Sequence, residues 1–221
     1  MLLQWINALP SLLTAGLAVY AVTAWRRDFI GRRRIELAEE VLSLFYKARD
    51  AISAIRNIAG FSSESKERQP EPDENSEQKR LRDAAFIAIE RYKQNSDTFN
   101  RLHALRYQFM ARFGTETVQA FDGLHQVTVE IIVGARQLQR LSARAGGPQT
   151  RPEIEKSIEQ AEARILQGSA EEDPVSPKVD AMISQIEAIT RPIINPARPW
   201  HDRACAMLNR LTTRFPRLKL W

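Results

Sequence analysis

The first 25 residues carry no charged side chain, and this run constrains the fold of the chain more than any other feature. An apolar stretch of about 20 residues is long enough for a helix to cross a hydrocarbon layer about 30 Å thick. Five arginines follow between positions 26 and 34, and such a cluster marks the end of a membrane helix that stays in the cytoplasm. The run therefore predicts a single-pass anchor whose N-terminus lies outside.

Amphipathic and basic side chains mark the two ends of this predicted anchor. Trp5 and Trp25 stand where indole rings favour the headgroup level of a bilayer. The predicted interface residues on the inner side are Arg26, Arg27, Arg32, Arg33 and Arg34. A cleaved signal peptide is a second interpretation, but it would carry its positive charge before the apolar run. A buried core helix is a third, and apolar residues around the whole circumference argue against it.

From Ile35 onward the apolar residues recur every three or four positions, which predicts helices. The first stripe, from Ile35 to Ala59, has a spacing close to a heptad seam. Between Trp25 and Ile35 only Gly31 weakens a helix, so the anchor is expected to continue into this stripe. Alternation typical of strands is nearly absent. The predicted fold class is all-α: one N-terminal transmembrane helix that continues into a cytosolic antiparallel bundle of three long helices plus shorter C-terminal helices.

Composition and helix breakers divide the chain into six segments. These are the membrane anchor at 1–25, the basic juxtamembrane segment and first long cytosolic helix at 26–60, a flexible polar loop at 61–79, an antiparallel helical hairpin at 77–145, short helices with an acidic linker at 146–197, and a basic amphipathic segment at 198–221. Gly114 is expected to end the first arm of the hairpin, and Thr115 to cap the second. The polar loop is expected to stay flexible because residues 62–79 contain no apolar side chain and two prolines.

The last 24 residues carry six positive charges and one negative charge. Their apolar stripe and basic flanks describe an amphipathic helix able to lie on an anionic leaflet. The more ordinary interpretation is that this helix packs on the bundle or on the acidic segment before it. Contact with the membrane surface is the alternative, and the residues that would make it are Trp200, Arg203, Arg210, Arg214, Arg217, Lys219 and Trp221. A nucleic-acid partner is not expected, because no recognised nucleic-acid-binding fold accompanies the charge.

Few residues suggest site chemistry. One thiol, Cys205, excludes an intrachain disulfide, and with three histidines it cannot form an ordinary structural zinc site. His103 and His125 each lie 11 residues from Gly114, so an antiparallel hairpin would bring them to the same height, where a histidine pair could sense pH or share a metal. The more ordinary interpretation places each ring at a polar edge of the core. Aromatic residues at helical spacing are interpreted as core or groove wall: Tyr92, Phe99, Tyr107, Phe109 and Phe113.

These observations predict no catalytic, cofactor-binding or metal-binding residue and no cofactor. The favoured hypothesis is a single-pass protein of the plasma (inner) membrane, with its N-terminus outside and the bulk of the chain cytoplasmic. Its helical bundle would act as a tethered protein-interaction or scaffold module, with membrane lipid and a protein partner or a second copy as partners. One alternative is a membrane-associated enzyme or lipid-acting protein with a site between helices near His103 or Arg106. Another is a transmembrane signal relay through the first helix.

Overall fold

The structure is a computed structural model that describes residues 2–59, 64–146, 151–169 and 171–195; the side chains of 2–13 and 15 also lie outside it. Its described elements are all helical, with no strand among them, so the predicted all-α class is confirmed. The six α-helices are α1 (Leu2–Arg56), α2 (Ser76–Gln94), α3 (Ser96–Phe113), α4 (Val118–Ser142), α5 (Pro152–Ile165) and α6 (Ser176–Ile194). Short 3-10 turns span Ser65–Glu67 and Thr115–Thr117. The helices form a bundle.

Helix α1 is a single helix of 55 residues, about 80 Å long at about 1.5 Å per residue. It passes through Gly31 without a break, so the predicted continuity is present. Its described side chains before Ile35 are exposed or half-exposed, whereas after Ile35 one face of the helix is buried, including Leu37, Val41 and Phe45. The first part of α1 therefore projects from the bundle and the second part builds the core.

The membrane anchor was predicted at residues 1–25. Among the described residues, none of the helices combines the length and the apolar character that crossing a membrane requires. About half of the predicted anchor, including Trp5, has side chains outside the described residues. The anchor therefore stays a prediction.

The helix predicted from residue 77 to 113 is two helices, α2 and α3, separated at Asn95. The Asn95 side-chain amide donates to the backbone oxygen of Arg91 (2.8 Å), and its backbone (φ −101°, ψ 5°) leaves the helical region. Asparagine favours such local hydrogen bonds, which compete with the helix ladder. The apolar stripe of this arm is interrupted at Asn95 and Ser96, and in the structure this interruption is a helix end.

Helices α2 and α3 form a long hairpin with α4, as predicted. Gly114 (φ 106°) ends α3 and donates to the backbone oxygen of Met110 (3.0 Å), which confirms its predicted role as the stop. The predicted cap at Thr115 is wrong, because the chain first makes the 3-10 turn and α4 has no side-chain cap. At the far end, Asn75 opens α2 with a capping box and its side chain donates to Ala145 at the end of the returning arm (3.3 Å).

Helices α1 and α6 complete a four-helix bundle with α3 and α4. Arg101 of α3 pairs with Glu40 of α1 (2.5 Å), and the Tyr46 hydroxyl of α1 donates to Glu187 of α6. Helix α6 runs through Pro192 to Ile194. Helix α5 packs on α4 past the end of α1, where a Cβ on Gly134 would lie only 3.1 Å from the Cβ of Arg164. Glycine therefore lets α5 approach α4 closely.

A buried arginine joins the end of α1 to the rest of the bundle. Arg56 is 1% exposed and binds Asp173 through both terminal nitrogens (2.7 and 2.9 Å). It also donates to the backbone oxygens of Ala163 (2.9 Å) and Arg164 (3.0 Å) in the last turn of α5, which are carbonyls without a helical partner. Asp173, within the predicted segment 146–197 of short helices and acidic linker, therefore takes part in a structural ion pair that the sequence did not indicate.

The predicted polar loop at 61–79 makes contacts that its composition did not indicate. Arg68 binds Glu74 (2.7 Å) and Asp83 of α2 (2.5 Å), and the Glu74 side chain is only 4% exposed. A hydrogen bond from Arg68 outweighs burial and lowers the pKa of Glu74 below its ordinary value. Within 64–75, charged side chains thus take the place of apolar ones in holding the segment against α2.

Replacement of Arg56 should destabilise the bundle strongly. Arg56→Met removes the cation that pairs with the Asp173 carboxylate and the donor of two α5 carbonyls, so we expect the free energy of unfolding to fall by about 3–5 kcal/mol. Urea unfolding followed by far-UV circular dichroism measures this change. The matched control is Arg49→Met on the same helix, where the arginine is 46% exposed and pairs with an exposed aspartate. Equal stability of the two variants would contradict the role given to Arg56.

The same ion pair predicts an acid-dependent loss of stability. Burial raises the pKa of Asp173, but hydrogen bonds from Arg56, Ser176 and the Val175 N–H outweigh it and hold that pKa well below its usual range. The folded pKa is thus lower than the unfolded one, so the contribution is complete above the unfolded value of about 3.9 and is lost as pH falls. We expect the stability difference between wild type and Asp173→Asn to be constant above about pH 5 and to shrink below it. Urea titrations across this range test the prediction, and a difference that stays constant in acid would refute it.

Candidate functional site: a groove between the arms of the hairpin

A groove of about 480 Å³ lies on the surface between α2 and α3 on one side and α4 on the other. Its volume is within the range of small-molecule sites, about 300–1,000 Å³. Buried core residues form its floor, and partly exposed apolar and polar side chains form its walls. The lining residues are Tyr92, Phe99, Asn100, Leu102, His103, Arg106, Phe121, Asp122, Leu124, His125, Thr128, Val129, Ile132, Val133 and Arg136.

The walls of the groove are apolar along most of their length. On α4, Val129 and Val133 are 43% and 48% exposed and lie one turn apart on the same face. On the opposite wall, the rings of Tyr92 and Phe99 stack with centroids 5.6 Å apart. These two rings belong to α2 and α3, so the helix break at Asn95 lies between them. Tyr92 and Phe99, two of the aromatic residues predicted to form core or groove wall, thus form part of the wall.

One end of the groove is polar and is built from two pairs of residues. His103 and Arg106 lie one turn apart on α3, and Asp122 and His125 lie one turn apart on α4. The two imidazole rings are 6.4 Å apart between centroids, which confirms that the hairpin brings them to the same height. Arg106 meets Asp122 across the groove (2.7 Å). Both histidines are exposed.

The groove carries more positive than negative charge. Among its described lining residues, Asp122 is the one carboxylate, and it is engaged by Arg106. The Nε of Arg106 is buried and has no acceptor within the described residues. Arg136 is exposed and has no ion-pair partner in the described ranges. Two guanidinium groups and two imidazoles favour an anion over a cation.

A metal site is not supported in the described part of the chain. There, no three histidine, cysteine, aspartate or glutamate side chains come close enough together to hold an ion. The facing pair His103 and His125 has Arg106 beside it, and a fixed positive charge disfavours a bound cation.

The residues predicted at the inner membrane interface lie on α1, directly before the part of this helix that packs in the bundle. Arg26, Arg27 and Arg32 are exposed, while Arg33 lies over the Phe29 ring (5.6 Å) and Arg34 over Phe113 of α3 (5.3 Å). Trp25 is 69% exposed and stacks on Phe29 (5.9 Å). Arg34 therefore shows which end of α3 faces the projecting part of α1. All of the predicted C-terminal surface residues, from Trp200 to Trp221, lie outside the described residues.

One feature of the sequence, a second line of apolar residues on α4, indicates the groove. Helix α4 carries an inward stripe that includes Leu124, Val127 and Ile131, and these residues are buried. Val129 and Val133 are apolar but fall outside that stripe, one turn apart. A second apolar line on a helix whose core face is already complete indicates a second contact surface.

No protein-family model, no curated protein and no solved structure matches the chain. Function is therefore inferred from the groove and from the projecting part of α1.

The polar end of the groove should contribute little to stability. The Arg106 and Asp122 side chains are 24% and 49% exposed, and ion pairs with such exposure contribute about 0–1 kcal/mol. We expect Arg106→Gln to change the free energy of unfolding by less than about 1 kcal/mol. The urea titration used for Arg56→Met provides the comparison on the same scale. A loss as large as that of Arg56→Met would make Arg106 a structural residue instead.

Proposed function

We propose that the chain is a single-pass inner-membrane protein whose helical bundle is tethered at the cytoplasmic face as an interaction module. The observation that carries this proposal is the projecting part of α1, where large apolar side chains are exposed. Leu17, Val19, Tyr20, Val22 and Trp25 are each at least 62% exposed. A continuous apolar surface of this kind needs a cover, either lipid or another protein.

The charge pattern favours lipid as the cover of this apolar surface, and it favours an orientation with the N-terminus outside. The apolar run ends at Trp25, and the arginines that surround α1 between positions 26 and 34 follow directly. Arginine and tryptophan are the residues that favour the headgroup region, and an excess of arginine favours the cytoplasmic side. In this proposal, residues 1–25 cross the bilayer and Arg26, Arg27, Arg32, Arg33 and Arg34 contact its inner surface. The C-terminal segment at 198–221 adds a second basic contact with the same surface.

Continuity of α1 supports the tethering mechanism. The helix that carries the apolar surface also carries Leu37, Val41 and Phe45 of the core. The bundle is therefore held at a distance and angle set by one rigid element instead of a flexible linker. Tethering would concentrate the bundle near membrane-bound partners, including a second copy of the chain.

Two other functions are each favoured by one observation. The groove with His103 and Arg106 is the site between helices that an enzyme or lipid-acting protein needs. Helix α1 continues through Gly31 without a break, as a signal relay requires. Rotation of its projecting part would then also rotate the residues of α1 that pack in the bundle. Both functions are compatible with the membrane tether, which is the common element.

Membrane attachment is tested by placing charge on the projecting part of α1. The double variant Leu17→Arg with Val22→Arg should move from the pellet to the supernatant in alkaline carbonate extraction, because each central arginine opposes insertion by about 2.5–3.5 kcal/mol. The matched control is Val129→Arg with Val133→Arg, which adds the same charge on the bundle and should stay in the pellet. Wild-type protein in the supernatant would refute the tether.

Orientation is tested with reporters at the C-terminus. A reporter that is active only in the cytoplasm should work in the wild-type fusion, and alkaline phosphatase, which needs the periplasm, should not. Replacing the five arginines between 26 and 34 with glutamine should reduce this asymmetry, because the positive charge sets the orientation. An active phosphatase fusion of the wild-type chain would reverse the proposed topology.

A further inference from the structure

We propose that the groove between α2–α3 and α4 binds a single-chain anionic amphiphile. Its carboxylate or phosphate lies at the polar end beside Arg106, and its acyl chain lies along the apolar walls. This inference concerns the groove alone and goes beyond the proposed membrane tether.

The donors at the polar end match an anionic headgroup. Arg106 binds Asp122 through Nη2 (2.7 Å), and the arginine side chain is 24% exposed. A guanidinium carries five N–H donors, so donors other than the one bound to Asp122 remain for a carboxylate or phosphate. His103 and His125, on the two walls beside it, add ring N–H donors at the same height.

The remainder of the groove matches a hydrocarbon chain. From His125 to Arg136 the α4 wall is about 16 Å long at about 1.5 Å per residue, and Val129, Ile132 and Val133 line it. Tyr92 and Phe99 face this wall from the other side. The volume of about 480 Å³ suits a narrow chain better than a partner helix about 10–12 Å across.

Arg136 closes the apolar end without competing for the headgroup. It is exposed, so its charge can stay in water while its aliphatic stem extends the apolar wall. The two arginines at opposite ends of the groove therefore have different roles: Arg106 binds the anion, and Arg136 is dispensable. This difference supplies a matched pair of variants.

The experiment uses the full chain in phosphatidylcholine nanodiscs and a long-chain fatty acid with a photoreactive diazirine in its chain. After irradiation, mass spectrometry maps the labelled peptides. We expect adducts on the peptide carrying Val129, Ile132 and Val133, which excess palmitate suppresses and its uncharged methyl ester does not. Labelling of α1 within residues 14–25 reports bilayer contact separately, so failure of the tether and failure of the groove site give different patterns.

The variants decide between a built site and non-specific partition. Arg106→Gln should lower groove labelling by at least about tenfold, since a charged hydrogen bond is lost. Arg136→Gln should lower it by less than about threefold. Val129→Trp should fill the groove and abolish labelling while the far-UV spectrum stays that of a folded helical protein. Competition by palmitate or by lysophosphatidate distinguishes a free fatty acid from a phospholipid-derived ligand.

Three outcomes would overturn the inference. Groove labelling that survives Arg106→Gln would remove the headgroup contact. Methyl palmitate that competes as well as palmitate would show that charge is not recognised. A loss with Arg136→Gln that equals or exceeds the loss with Arg106→Gln would place the anion at the wrong end.

Discussion

The hydrogen bonds of Arg56 are the interaction on which the described architecture depends. The guanidinium closes the open C-terminal turn of α5, and the Asp173 carboxylate that it binds accepts from the Val175 N–H (2.9 Å) and the Ser176 hydroxyl (2.5 Å) at the start of α6. One ion pair, between buried Arg56 and half-buried Asp173, thus joins the end of α1, the end of α5 and the start of α6. A lone charge in the same place would be costly, whereas this pair has its hydrogen-bonding groups occupied on both sides. These contacts hold α5 at the C-terminal end of α1. Helix α5 thereby covers the part of α4 that extends past the end of α1.

Helix α1 is unbroken, so the Arg56 contacts that hold its C-terminal end also set the position of the groove relative to the projecting part of α1. The α1 seam from Leu37 to Ile55 packs in the core, and Arg34 lies over Phe113 at the end of α3. Arg106 is two turns before Phe113, about 10 Å along α3. The polar end of the groove is therefore the end nearer to the arginines around α1, and the apolar end lies farther away. A ligand that arrives from a surface beside those arginines meets the anion-binding donors first.

The periodic features of the sequence predicted the fold well, whereas single polar contacts escaped prediction. Apolar spacing and Gly114 indicated the hairpin, and equal distances from that glycine indicated the facing of His103 and His125, because helical rise converts sequence separation into height. The Arg56–Asp173 pair joins residues 117 positions apart, and nothing in either local sequence marks the partner. The same holds for Glu74, whose acidic surroundings indicated solvent exposure. The break at Asn95 depends on a side-chain hydrogen bond that competes only slightly with a helix, so the pattern showed the weak point but not its outcome.

The groove is better explained by recognition than by folding. Val129 and Val133 are about half exposed and add little to the core, since α4 already buries a complete apolar face through Leu124, Val127 and Ile131. The opposite wall needs the helix break, because Tyr92 and Phe99 stack across it from two different helices. At the polar end, a partly exposed ion pair adds little stability, yet it holds Arg106 across the groove while other N–H donors of the guanidinium stay available. Three features occur together at this surface: the apolar groove walls, the helix break at Asn95 that shapes them, and the oriented Arg106. Each of them is neutral or slightly costly for stability. Such a combination is expected where a ligand supplies the missing contacts.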